Sequence, residues 1–257
     1  MTVSEESGAA FDFGRVTTRV GGLIQRNFLP FFGLSFVFAG APYLVLTLFQ
    51  TSLFGEGQTA NAVGSLVLLM VLFLAGVVLQ AALTRASIDD LSGKGVAIGA
   101  SLNAGLGFML PLLGLGIVVS AGMIVGFMLL IVPGIMLAVR WSVAPAVLVV
   151  EGAGIFDAMG RSAKLTANHR WAIFGLFVLY AIFVWVLSAV IMLAIPGSFS
   201  AVVASQSSAM PVLFVVVMTF VQALQSMILT VGVAAIYFEL RQIKEGVGIT
   251  EIAAVFD

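Results

Sequence analysis

The sequence predicts an all-α polytopic membrane protein: a bundle of six transmembrane helices with short interfacial amphipathic helices. Three observations lead there. First, 61% of the residues are hydrophobic and only 9% charged, whereas a soluble domain carries roughly 25% charged residues. So few charges cannot cover a water-facing surface, and lipid becomes the main solvent. Second, the apolar runs reach the roughly 20 residues that a helix needs to cross a bilayer. Third, the basic residues alternate. Arg15, Arg19, Arg26, Arg85, Lys94, Arg161, Lys164, Arg170, Arg241 and Lys244 occupy alternate gaps between apolar runs, while the gaps at 50–62, 132–134 and 195–210 hold no Lys or Arg. Cytoplasmic loops retain basic residues, so both termini are expected inside a bacterial cytoplasmic membrane.

The elements follow in order. Residues 1–27 form a cytoplasmic N-terminus whose segment 11–27 reads as an interfacial helix. There Phe13, Val16, Val20 and Leu23 keep helical spacing while Arg15, Arg19 and Arg26 point elsewhere. Ala39-Gly40-Ala41 mimics a signal-peptide cleavage site, but the apolar run continues past it, so an uncleaved first span is expected. Spans are expected near 29–49, 63–84, 106–131, 134–150, 172–194 and 211–238, followed by a cytoplasmic tail at 239–257. The stretch 106–150 is too long for one span, and Pro133-Gly134 is read as its break. Charge parity agrees, since a single span there would place Arg161, Lys164 and Arg170 outside. Residues 154–168 form a second surface helix, with Ile155, Phe156 and Met159 apolar and an Asp157–Arg161 pair at i, i+4. Residues 95–105 are a shorter, weakly patterned third.

Three short stretches hint at an internal repeat. Pro30-Phe-Phe-Gly-Leu34, Pro111-Leu-Leu-Gly-Leu115 and Ala172-Ile-Phe-Gly-Leu176 each follow a surface segment and open the first span of a pair. The pattern suggests three units, each a surface helix plus a two-span hairpin. Chance is the competing reading, because Gly and Leu abound.

Few residues could carry chemistry. Arg140 is the sole charge within an apolar run, and such a residue costs about 2.5–3.5 kcal/mol at mid-bilayer on insertion scales. One reading has it snorkel outward beside an outer-belt Trp141, or pair with Gln80, Gln222 or Gln225. The other makes it an anchor for a lipid phosphate or carboxylate. The inner loop holds Glu151, Arg161, Lys164 and Arg170, which could grip headgroup phosphates or form an ordinary basic loop beside Trp171. Asp89 and Asp90 read as a solvated turn, and Glu239 with Arg241 as an interface anchor beside Tyr237. His169 is the only histidine and there is no cysteine, so no metal site or cofactor is expected. A net charge of −1 argues against nucleic acid. The third span carries Gly105, Gly107, Gly114, Gly116, Gly122 and Gly126. That density suits the packed centre of the bundle, with self-association as the weaker use.

The stretch Pro133-Gly134-Ile135 through Arg140-Trp141-Ser142-Val143-Ala144-Pro145 to Glu151-Gly152, continuing to Arg161-Ser162, Leu165-Thr166 and Arg170-Trp171, resembles the membrane-domain family of glycerophosphoryl diester phosphodiesterases and the related YciC-like bacterial inner-membrane proteins. Phe11-Asp12-Phe13-Gly14, Arg26-Asn27-Phe28 and Tyr237 with Leu240-Arg241 fit it as well. The resemblance implies six-span inner-membrane architecture, sometimes joined to a soluble phosphodiesterase. It implies no activity here, because that chemistry needs a catalytic cluster which one His cannot supply.

The expected function is therefore a non-enzymatic membrane protein that interacts with lipids or scaffolds a complex. Its expected partners are membrane lipids and a protein partner or second copy. A transporter or channel for a small molecule or lipid is the alternative.

Overall fold

The computed structural model describes residues 11–53, 58–196 and 212–246. The predicted loops at 50–62 and 195–210 fall partly outside those residues, as do residues 1–10 of the N-terminus and the tail beyond 246. The described residues form α1 (Phe13–Ser35), a π-helical turn (Phe36–Gly40), α2 (Ala41–Leu53), α3 (Gln58–Leu91), α4 (Ile98–Gly107), α5 (Met109–Leu129), α6 (Ile131–Arg140), α7 (Ala144–Glu151), α8 (Ile155–Leu165), α9 (Arg170–Ala194) and α10 (Val212–Glu245). Six helical stretches among them are long and apolar enough to cross a membrane: Phe13–Leu48, Leu66–Leu91, Met109–Leu129, Ile131–Glu151, Arg170–Ala194 and Val212–Glu245.

Packing is uneven along the bundle axis. The close-packed core joins Val77–Ile88 of α3, Val143–Val149 around α7 and Val231–Leu240 of α10. Toward the other end, side chains within Leu66–Phe73 of α3, Phe127–Val132 of the α5–α6 turn and Trp185–Leu193 of α9, with Val212, Leu213 and Val216 of α10, are large, apolar and exposed. That exposure is untenable in water and natural in hydrocarbon. α10 is the spine. Gly40 in the π turn lets the first span approach it, because a Cβ there would stand 3.0 Å from the Thr219 carbonyl.

The predicted surface helix at 11–27 forms the first segment of α1 and ends at a kink on its predicted boundary. α1 runs on to Ser35 with a break at Asn27 (φ −122°, ψ 29°). The Asn27 amide donates to the Leu23 carbonyl at 3.3 Å and to Asp90 at 3.0 Å, so a side chain replaces what the backbone loses. The third and fourth spans turn at Leu130 (φ −166°, ψ 155°), not at Pro133-Gly134 as the sequence suggested. Pro133 lies in the first turn of α6, where its missing N–H costs nothing. The fourth span itself is interrupted at 141–143, between α6 and α7.

The third span is peripheral, contrary to the expectation of a packed centre. Leu110, Ile117, Ile124 and Met128 of α5 are all exposed. Its glycines serve several neighbours: Gly114 faces Ile155 of α8, Gly116 faces Phe73 of α3, the Trp141 ring lies over Gly122, and Gly126 faces Gly134 and Leu137 of α6. Small residues thus admit close approach on more than one side of the span.

The three repeated stretches share a geometry. Asn27 (φ −122°, ψ 29°), Phe108 (φ −92°, ψ 3°) and His169 (φ −119°, ψ 10°) each interrupt the helix. They stand three residues before Pro30, Pro111 and Ala172 respectively. The same backbone region also recurs outside the repeat, at Trp141 (φ −104°, ψ 7°) and Val143 (φ −98°, ψ 3°).

Candidate functional site

One end of the bundle collects the charges, because the helix ends that meet there bring carboxylates to arginines distant in sequence. Glu239, 1% exposed, is held by Arg15 at 2.8 Å and by Arg19 at 2.5 Å. Arg19 also donates to Gln242 and lies over the Phe238 ring, 5.1 Å from its centroid. Asp90 accepts from Arg26 at 2.7 Å, and Asp89 from Arg85 at 3.0 Å. Glu151 accepts from Tyr237 at 2.8 Å and from Arg161 at 3.2 Å. Arg161 reaches on to Glu245, which also holds Arg241 at 2.7 Å. These pairs tie α1, α8 and the ends of α3 and α7 to α10 or to one another. They are mechanical, and they correct three expectations. Asp89 and Asp90 brace α3 and α1 rather than forming a solvated turn. Glu239 is a buried tether rather than an interface anchor. Arg161 turns from Asp157 to Glu151 and Glu245.

Four cations stand outside this pairing. Arg140, Lys164, Arg170 and Lys244 make no ion pair among the described residues. They gather around the α8–α9 connection. The Arg140 carbonyl, freed by the interruption after α6, accepts from Ser162 at 2.8 Å and Thr166 at 3.4 Å. Arg140 thus sits beside 166–170, its side chain exposed, not on the far side beside an outer-belt Trp141. Arg170 lines a cavity of about 520 Å³ with Val132, Met136, Val139, Trp171 and Phe174. Its Nε is buried without a hydrogen-bond partner. His169, whose ring lies 5.9 Å from that of Phe11, is held below its usual pKa by burial and then by the Lys244 ammonium. The sequence singled out three of these four cations; Lys244 it counted only as part of the basic inner face.

A second concavity lies between the spans. A cleft of about 820 Å³ is walled by α2, α3, α5, α6, α9 and α10, and is lined by Tyr43, Gln80, Trp141 and Gln222 among mostly apolar residues. Gln225, grouped with these two glutamines by sequence, does not line the cleft, and its backbone carbonyl accepts from the Tyr180 hydroxyl at 3.0 Å.

Comparison with known proteins finds a UPF0259 membrane protein of Pectobacterium carotovorum, 32% identical over 145 residues, which is 56% of this chain and 52% of that protein. The match thus spans about half the length of that relative. No family model matches, and no solved structure matches. The resemblance to the phosphodiesterase membrane-domain family is therefore corrected: the relative found belongs to an uncharacterised membrane family instead. The residues that carried the resemblance have structural work that explains them. Pro133 opens α6, Trp141 packs on α5, and Ser162 and Thr166 cap the broken span. The chain is a multi-pass α-helical membrane protein.

Proposed function

We propose that this protein binds anionic phospholipid at the charged end of its bundle, facing the cytoplasmic leaflet, and acts on lipid organisation by binding rather than by catalysis. The observation that carries this reading is the division among the cations. Arg15, Arg19, Arg26, Arg85, Arg161 and Arg241 are each matched to a carboxylate, whereas Arg140, Lys164, Arg170 and Lys244 are not. A guanidinium with a buried, unpartnered Nε is suited to a phosphate oxygen, since Arg presents a planar fork of donors. The adjoining cavity offers Trp171 and Phe174 at headgroup depth and aliphatic walls for a chain. Basic clusters near an anionic leaflet gain about 1 kcal/mol per Lys or Arg.

The test is lipid analysis of the full chain extracted in native membrane patches without detergent. Wild type should carry phosphatidylglycerol in excess over phosphatidylethanolamine relative to the surrounding membrane. Arg140→Gln with Arg170→Gln should lower that excess by roughly tenfold or more, given about 1 kcal/mol for each charge. Arg26→Gln, which removes a cation already committed to Asp90, should leave it unchanged. Equal lipid ratios in all three proteins would defeat the proposal.

A further inference from the structure

We infer that the central cleft is a second and separate ligand site, which takes an uncharged amphiphile: an apolar chain carrying one uncharged hydrogen-bonding head. Its volume, about 820 Å³, falls within the 300–1,000 Å³ common for ligand pockets. Its walls decide the ligand class. Among the described residues no Asp, Glu, Lys, Arg or His lines the cleft, so a charged head would lie in a low-dielectric space without a counter-charge from them, a costly arrangement. Leu, Val, Phe and Ile supply most of the surface, which suits a hydrocarbon chain.

The walls are not wholly apolar. Tyr43, Gln80, Trp141 and Gln222 line the cleft, from four different helices or their ends, and bring a hydroxyl, two amides and an indole N–H to its walls. None of these side-chain groups has a hydrogen-bond partner among the described residues. Gln222 is exposed and Tyr43, Gln80 and Trp141 are half-buried, so an incoming ligand can reach them, and an amide offers it two donors and an acceptor. Neighbouring polar groups behave otherwise: Ser142 donates to the Val139 carbonyl at 2.8 Å and Ser226 to that of Ala223 at 3.0 Å. The unmatched set therefore stands out from side chains that satisfy themselves locally. A hydroxyl or carbonyl on a ligand can both give to and take from it. Gly76 provides the steric lever, since it borders the cleft and a Cβ there meets nothing within 4 Å. A side chain started at 76 therefore has open space at its first carbon, beside the cleft.

The experiment uses the full chain in phosphatidylcholine nanodiscs and three photoreactive sixteen-carbon probes bearing the same diazirine: an alcohol, an alkane and an alkyl phosphate. Labelled residues are mapped by mass spectrometry. The alcohol should label the cleft, the alkane should label it about tenfold less, and the phosphate should label only the α8–α9 corner. Gln80→Leu with Gln222→Leu should cut alcohol labelling about tenfold, the equivalent of losing one to two hydrogen bonds, and leave alkane labelling unchanged. Gly76→Phe should abolish it. Equal labelling of the cleft by alcohol and alkane would reduce the site to an apolar void. Cleft labelling by the phosphate, or none by the alcohol, would overturn the inference. The three-probe comparison on wild type stands even if a variant does not fold, and its outcome at the cleft is independent of the lipid ratio at the charged end.

Discussion

Two glycines on one helix should respond to the same substitution with opposite signs. Gly105 and Gly107 both belong to α4. A Cβ at Gly105 would stand 2.8 Å from the Val78 carbonyl oxygen, 3.2 Å from Val78 Cγ1 and 3.4 Å from Ala82 Cβ. The nearest of these is a backbone atom of α3 that no rotamer change can move, so α4 and α3 must part. At Gly107 a Cβ meets nothing within 4 Å. Overpacking of this kind costs about 1–3 kcal/mol, whereas replacing Gly by Ala in a helix gains up to about 1 kcal/mol. The gain is common to both sites and largely cancels in the comparison. Gly105→Ala should therefore be less stable than Gly107→Ala by about 2 kcal/mol, or roughly thirtyfold in the unfolding equilibrium. Unfolding by SDS in mixed micelles, followed by tryptophan fluorescence, measures the difference. Equal midpoints, or a more stable Gly105→Ala, would refute the close α3–α4 approach. Because Leu79 and Gln80 of α3 also wall the cleft, Gly105→Ala should weaken alcohol labelling there too.

The remaining predictions concern the charged end. The sole histidine gives one imidazole NMR signal; its midpoint should lie below 6.5 in phosphatidylcholine, because burial and Lys244 disfavour the cation. A lowered folded-state pKa means that His169 leaves stability untouched above about 6.5 and subtracts from it as pH falls below that value. Adding phosphatidylglycerol should raise the midpoint, and a midpoint indifferent to anionic lipid would count against the headgroup site. Arg161→Met leaves Glu151 with only Tyr237 and Glu245 with only Arg241, and should cost about 1 kcal/mol in the SDS titration after allowance for their partial exposure. Lys164→Met, which breaks no ion pair, should stay within about 0.5 kcal/mol. Removing Arg15 and Arg19 together should destabilise more than Glu239→Leu, since the first leaves a buried carboxylate and the second leaves cations that reach solvent. Equal losses in the two variants would show that a stranded charge is not the origin of the difference.

The spans were legible because apolar length is local information. Their ends were less so. Pro133-Gly134 looked like the turn, but Pro is as well suited to a helix's first turn as to its boundary, and Leu130 took the turn instead. The interruption at 141–143 left no mark in the sequence, since Trp-Ser-Val carries no breaker; it depends on Ser162 and Thr166 supplying hydroxyls from another helix. That hidden interruption is also why Arg140 was placed on the wrong side of the bundle. The basic loop was legible as a set of cations. Which of them were free was not, because the matching carboxylates lie up to 224 residues away, as with Arg15 and Glu239. The unmatched amides Gln80 and Gln222 were visible as polar residues in apolar runs, whereas their convergence on one cleft needed the tertiary packing.

The three equivalent helix breaks carry a consequence for how the bundle could work. A unit made of two crossings returns the chain to the side from which it started. Successive copies therefore enter the bilayer in the same direction, and any symmetry relating them turns about an axis along the membrane normal. Transporters that rock between two openings commonly rely on halves inserted upside-down relative to each other, so that each opening mirrors the other. Three same-way units give no such mirror. Among the described residues one end is laced with ion pairs and the other exposes apolar side chains, so a ligand in the cleft would meet two unlike ends.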